Sequence, residues 1–285
     1  MAITQTNQKY YTYISKNFNI VNEKDLSFPF SDMGFLYGYG LFETMRVTDG
    51  KVKLMTQHYK RLFRSSISLD IDIPFSEYEF CAGVTALIQK NKVSSAVFNV
   101  YLTAGDRSGL LTKEEKPSPV LLMVLRPFES DKLKNTVRLD FKKESFQRTP
   151  LDGLKTMAWM KNWLELRFSN EDSDDVLLYN GQSHILETPL ANVFFVKNNQ
   201  LITPCSSCVL QGVTREFLIE NQQSIPYDII QRDIHKDELA QMDEIFLTNS
   251  LKGIVKVTYL KSFPQLKSKS VTENIEQIYN TLYKQ

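Results

Sequence analysis

Several residues in this 285-residue chain have types and spacings that chemistry could use. Glu187, in "LETPLANVFFV", is an acid at the edge of a strongly apolar, strand-like run. Most glutamates are solvated, so a strand-end surface charge is one reading. A carboxylate fixed at the mouth of a buried sheet is the other. Lys155, in "GLKTM", sits at the junction of a loop and an apolar-periodic segment, with Lys161 one turn on as its competitor. By spacing alone it reads as a solvated lysine at a helix start. In "LQGVTREFL", Gly212 precedes a helix whose first amides, Val213 and Thr214, point outward. Such a terminus offers unpaired N–H donors and a favourable dipole to an anion. Arg61, at helical spacing from Lys60 and Arg64, fits an anion ligand or a solvated face equally well. Arg107 lies in the glycine-flanked "TAGDRSG", a loop suited to clamping a carboxylate. Cys205 and Cys208 form "CSSC", but no thioredoxin-like strand and helix surround them, and a zinc site needs two further ligands. With His58, His184 and His235 scattered, the pair reads as incidental and no metal is expected.

Secondary elements must hold these groups in place. Hydrophobic residues make up 42% of the chain and aromatics 12%, enough for a substantial core. The formal net charge of +1 gives no basic footprint for nucleic acid. The polar start of the chain has no signal-peptide core, and the apolar run "VLLMVL" is far too short to span a bilayer. These features predict a soluble, cytoplasmic protein. In the first half, "VKLMT" reads as a strand, "TQHYKRLFRSSISL" as a helix, 76–90 as a second helix, and "AVFNVYLTAG" and "VLLMVL" as strands. "LFETMRV" reads as a strand closed by a "TDGK" turn. In the second half come the strand "VRLDFKKES", a helix carrying Met157, Met160, Leu164 and Phe168, and the strands "DDVLLYN" and "NVFFV". A helix over 213–222, three more strands and a helix over 271–283 follow. Without a clean βαβ alternation, the chain predicts an α+β fold. The expected division is a subdomain at 1–125, a polar linker at 126–133 and a second subdomain at 134–285. No GxGxxG follows a strand and there is no P-loop, which leaves nucleotide binding without support.

The stretch "SDMGFLYGYGLFETMRVTDGKV", with Gly34, Gly38 and Gly40 marking backbone that turns tightly or is closely approached, resembles the opening motif of the class IV (fold type IV) pyridoxal-phosphate enzymes. That family includes branched-chain and D-amino-acid aminotransferases and 4-amino-4-deoxychorismate lyase. The resemblance continues in order through "HYKRL", "LKTMAWMKN", "LETPLANVFFV", "LITP", "LQGVTREFLIE" and "DEIFLTNSLKGIVKV", and so covers almost the whole chain. It implies a two-subdomain fold like that of D-amino-acid aminotransferase, pyridoxal 5′-phosphate as cofactor, and a homodimer. By the same resemblance Lys155 forms the Schiff base with the cofactor aldehyde. Glu187, in an E-x-x-x-x-N pattern with Asn192, partners the ring nitrogen. Arg61, Val213, Thr214 and Ser250 hold the phosphate. Read from the residues themselves, Phe42 and Tyr37 are candidates for the wall of the substrate pocket, and Arg107 for taking a carboxylate of a small amine substrate.

Two stretches bear on the outcome of the reaction. "FLTNSLKGIVKV", with Asn-Ser after a strand, and "GFLYGYGLFET" are similar to the lyases, which release pyruvate and 4-aminobenzoate for folate synthesis. The alternatives are a class IV amino-acid aminotransferase and a non-catalytic homologue that only binds the cofactor. Lys256, Trp159, Met160 and Tyr39 depart from common family choices, and those departures bear on substrate rather than cofactor.

Overall fold

The computed structural model describes residues 10–106, 117–128, 135–263 and 270–283, and everything said below of the structure concerns these. The chain forms two compact units, Met1–Ser130 with Lys155–Ala158, and Asp131–Leu154 with Trp159–Gln285. Most of the expected linker, 126–133, and Arg107 lie outside the described residues.

The first unit contains β1 (Tyr13–Lys16), β2 (Asn19–Asn22), α1 (Met33–Tyr37), β3 (Gly40–Thr48), β4 (Lys51–Val52), α2 (Met55–Ser68), α3 (Glu77–Asn91), β5 (Ala96–Thr103) and β6 (Val120–Pro127). Its sheet runs β2-β1-β6-β5-β3-β4, antiparallel at every pairing. Strand β3 alternates in burial, with Leu41, Met45 and Val47 in the core and Glu43 in phase with them. Helix α3 begins with a capping box between Ser76 and Glu79. The strand expected at "VKLMT" stops at Val52, because Leu54 turns into the left-handed region and α2 starts at Met55. The β1–β2 hairpin, whose turn residues Asn17 and Phe18 have positive φ, and the five-residue α1 are too short for periodicity to reveal.

The second unit contains β7 (Thr136–Lys143), α4 (Met160–Arg167), β8 (Asp175–Tyr179), β9 (Asn192–Lys197), β10 (Gln200–Thr203), α5 (Val213–Glu220), β11 (Asp228–Gln231), β12 (Glu244–Asn249), β13 (Gly253–Leu260) and α6 (Ser270–Leu282). Its mixed sheet runs β11-β10-β9-β12-β13-β7-β8, parallel at β10–β11, β13–β7 and β7–β8. Strand β9 is buried along nearly its whole length, as an apolar run covered on both faces must be. Phe194 and Phe246 stack across it with centroids 5.0 Å apart. Among the described residues no helix is long and apolar enough to cross a membrane.

One expected helix differs. Met157 lies outside α4, in an irregular segment, and Met160, Trp163 and Phe168 are exposed. The buried side chain of α4 is Glu165, which accepts from the Ser145 N–H and hydroxyl and pairs with Lys142. Here helical spacing of apolar residues did not mark a core face.

Gly40 is a position where no side chain fits. A Cβ there would sit 2.7 Å from the Leu102 carbonyl and 2.7 Å from the Met157 sulfur. Gly40→Ala is expected to destabilise the protein by about 1–3 kcal/mol through overpacking against backbone. Urea unfolding checks this: a lower midpoint at unchanged slope is expected, and an unchanged midpoint contradicts it.

Candidate active site

In the first unit, the residues of interest gather around the start of β3. The segment after Leu154 runs beside that strand: the Phe42 N–H donates to the Lys155 carbonyl (2.9 Å) and the Met157 N–H to the Gly40 carbonyl (2.8 Å). Lys155 is therefore held by strand-like pairing and not by a helix start, as the sequence suggested. Its ammonium lies over the Phe42 ring, 4.4 Å from the centroid, and Phe42 in turn stacks on Tyr101. Tyr37 ends α1 and is exposed; Asp32, wholly buried, caps that helix at the Gly34 and Phe35 amides and accepts from the Thr103 hydroxyl. Gly38, at φ 69°, then turns the chain back into β3.

Arg61 is buried, whereas Lys60 and Arg64 on the same helix are exposed, so the solvated-face reading of Arg61 does not hold. Its Nε donates to Glu43 Oε1 (2.8 Å) and its Nη2 to Oε2 (2.5 Å). His58 Nδ1 meets the same Oε2 at 2.7 Å. Burial alone would raise the Glu43 carboxyl, but the charge and hydrogen bonds of Arg61, helped by His58, hold it at about 2. For His58, burial lowers the imidazole further than Glu43 raises it, and Arg61 and Lys155 add to the lowering. The triad is then a carboxylate, a guanidinium and a neutral imidazole. Glu43 escaped the sequence reading, although its phase among Leu41, Met45 and Val47 marked it as an inward-facing acid.

In the second unit, Glu187 is buried, 6% exposed, which removes the surface-charge reading. Its Oε1 accepts from Arg148 Nη1 (2.5 Å) and the Leu210 N–H (3.2 Å), and its Oε2 from Asn192 Nδ2 (2.8 Å). Arg148 also reaches Asn162 Oδ1 (3.0 Å) and the Cys208 carbonyl (3.4 Å). Asn192 donates to the Leu210 carbonyl as well (2.7 Å). Gly212 is required beside it, because a Cβ there would fall 1.9 Å from Asn192 Oδ1. Arg148 carried no sequence signal, since it lies in an irregular stretch where only the fold brings it to Glu187.

Gly212 is the N-cap of α5, and no side chain caps that helix. The first-turn amides of Val213 and Thr214 are therefore without a capping acceptor. The Thr214 hydroxyl is buried beside that of Tyr279. Burial raises the nearby Tyr279 hydroxyl above its ordinary value. Ser250 falls in the turn between β12 and β13, where Asn249 Oδ1 accepts from the Leu251 (3.1 Å) and Lys252 (2.9 Å) amides. Cys81, Cys205 and Cys208 are free thiols.

The Glu43 triad has a defined pH dependence. His58 titrates below its ordinary 6.5 in the folded chain, so the unfolded chain binds more protons there. Its share of stability is complete above 6.5 and is lost as pH falls from there through the lower folded value. The Glu43 share is complete above 4.5 and is lost as pH falls from 4.5 toward 2. Asp175, which burial pushes up to about 7, works in the opposite sense, so a difference measurement is needed. His58→Asn, whose amide can still donate to Glu43, is expected to flatten the loss of stability just below 6.5 relative to the parent protein. Parallel pH profiles for the two proteins contradict this.

Comparison with known proteins gives the family and the fold. The family model "Amino-transferase class IV" matches residues 40–260. The chain is 28% identical to the "Putative branched-chain-amino-acid aminotransferase" of Methanocaldococcus jannaschii over 247 residues, 85% of each chain. It is 27% identical to the aminodeoxychorismate lyase of Bacillus subtilis over 252 residues, 86% of this chain and 85% of that one. The branched-chain amino acid aminotransferase of Escherichia coli superposes with a TM-score of 0.86 over 96% of this chain and 95% of its own, at 20% identity, and so shares the fold. Matched across most of its length, the chain belongs to the class IV aminotransferase family of enzymes, which depend on pyridoxal 5′-phosphate.

Proposed function

We propose that the protein is a 4-amino-4-deoxychorismate lyase, which splits its substrate into pyruvate and 4-aminobenzoate. The cofactor assignment is carried by the buried Glu187 carboxylate, fixed by Arg148, Asn192 and the Leu210 amide. Pyridoxal phosphate, when bound, supplies an electron sink for negative charge at the carbon bearing the substrate amine, provided its ring nitrogen stays protonated. Glu187 is suited to hold that proton by charge pairing, and its three donors keep it ionised and in place. The start of α5, which no side chain caps, fits an anion, so Val213 and Thr214 are assigned to the phosphate, and the family resemblance adds Ser250 and Arg61. Lys155 is assigned as the attachment amine and as the base that removes the proton from the ring carbon bearing the amino group. The C–O bond to the side chain then breaks, the enolpyruvate that leaves takes up a proton at its methylene carbon to become pyruvate, and the ring aromatises. Phe42, half-buried beneath Lys155, and Tyr37 are assigned to the pocket wall. Arg107 is kept as the candidate for a substrate carboxylate.

The lyase outcome is supported by "GFLYGYGLFET" and "FLTNSLKGI" and by the Bacillus relative. An aminotransferase is the second reading, favoured by the equally similar Methanocaldococcus relative. A homodimer is what the family resemblance implies.

Borohydride treatment of the cofactor-loaded protein is expected to fix the cofactor on Lys155. A modified Lys161, or no modified peptide at full loading, contradicts the assignment. With 4-amino-4-deoxychorismate and no amino acceptor, pyruvate and 4-aminobenzoate are expected in equal amounts. Conversion of the cofactor to its pyridoxamine form by D-alanine, L-glutamate or a branched-chain amino acid, with no 4-aminobenzoate produced, makes the enzyme an aminotransferase.

A further inference from the structure

A buried carboxylate beside an arginine that receives a phosphate is electrostatically the wrong charge. Glu43 offsets the positive charge of Arg61 and, as an anion, repels the incoming one. It is nonetheless fully buried and ionised. The contacts explain what it provides. Both of its oxygens are used: Oε1 by Arg61 Nε, and Oε2 by Arg61 Nη2 and His58 Nδ1. A side-on fork of this kind fixes the plane of the guanidinium as well as its distance. The donors on Nη1 then point away from Glu43 by the planarity of the group. Arg61 and His58 lie three residues apart on α2, so one carboxylate from β3 ties two side chains of the facing helix. The strand itself is held at this point, where Asn99 Nδ2 donates to the Glu43 carbonyl (3.3 Å) and to the Thr44 hydroxyl (2.9 Å).

We infer that Glu43 is a positioning residue for cofactor binding, acting through Arg61, whose guanidinium it aims with His58 as the second anchor. This rests on the proposed role of Arg61 at the phosphate. A purely neutralising role for Glu43 makes the opposite forecast, because removing a nearby anion then strengthens phosphate binding.

The test is titration of cofactor-stripped protein with pyridoxal phosphate, followed by absorbance, for the parent, Glu43→Gln, Arg61→Ala and the double variant, with thermal unfolding of each stripped protein alongside. Arg61→Ala is expected to weaken binding on the order of ten- to a hundred-fold, the usual value of a charge-assisted contact. Glu43→Gln is expected to weaken it by about ten-fold, and to add nothing when Arg61 is already absent, because it acts through that residue. Glu43→Asp, which keeps the charge but draws the fork back by one methylene, is expected to bind the cofactor more weakly than the parent and covers the case in which Glu43→Gln does not fold. Tighter or unchanged binding in Glu43→Gln, unchanged binding in Glu43→Asp, or losses that add in the double variant overturn the inference. Unchanged affinity in Arg61→Ala overturns the phosphate role itself, and the inference falls with it.

Discussion

A carboxylate taken out of water must be paired and hydrogen-bonded, or it becomes neutral. This constraint shapes both units. Glu43 in the first and Glu187 in the second are each buried, and each meets an arginine at 2.5 Å. Breaking such a pair leaves an uncompensated charge in the interior, so neither acid can drift and neither arginine can be replaced freely. Each pair also recruits a third group. His58 joins Glu43, and Asn192 joins Glu187. Each acid thus sits in an anchored cluster, and the family's cofactor chemistry needs fixed charges of this kind.

The sheets carry the anchors. Full register of β3 against β5, from Gly40 opposite Thr103 to Val47 opposite Ala96, fixes where Glu43 and Phe42 sit along the strand. A slip of one residue would turn Glu43 out of the core and Phe42 into it. In the second unit, Asn192 opens β9 and pairs opposite Thr248 of β12, while Gly212 closes on its side-chain oxygen. The cluster at Glu187 is therefore tied to the centre of its sheet, and the uncapped start of α5 lies next to it in the chain.

Much of this was legible in the sequence. Strands such as "NVFFV" and "GIVKVTYL" have the apolar content and bounding turns of buried strands, and β9 and β13 lie there. The helix expected over 76–90 is α3, which the structure shows capped by Ser76 and Glu79. The ordered motifs gave the family. Burial of single polar residues was legible only in part. Glu187 and Arg61 each left two readings open, because a solvated charge and a buried one look alike until the partner is known. Glu43 escaped the reading despite its phase in β3, and its partners on α2 depend on how the helix packs. Arg148 lies 39 positions from Glu187, and no local pattern joins them. The exposed Met160 and Phe168 misled for the converse reason: helical spacing shows which residues share a face, not what covers it.

The most direct test of the account is the protonation state of the cofactor nitrogen that Glu187 is proposed to face. Nitrogen-15 NMR of the protein loaded with pyridoxal phosphate labelled at the ring nitrogen reads it without relying on turnover. An ionised Glu187, fixed by Arg148, Asn192 and Leu210, predicts the chemical shift of a protonated ring nitrogen throughout the neutral pH range, moving to the unprotonated value in Glu187→Gln. An unprotonated nitrogen in the parent protein, or a shift that the substitution leaves unchanged, would contradict it.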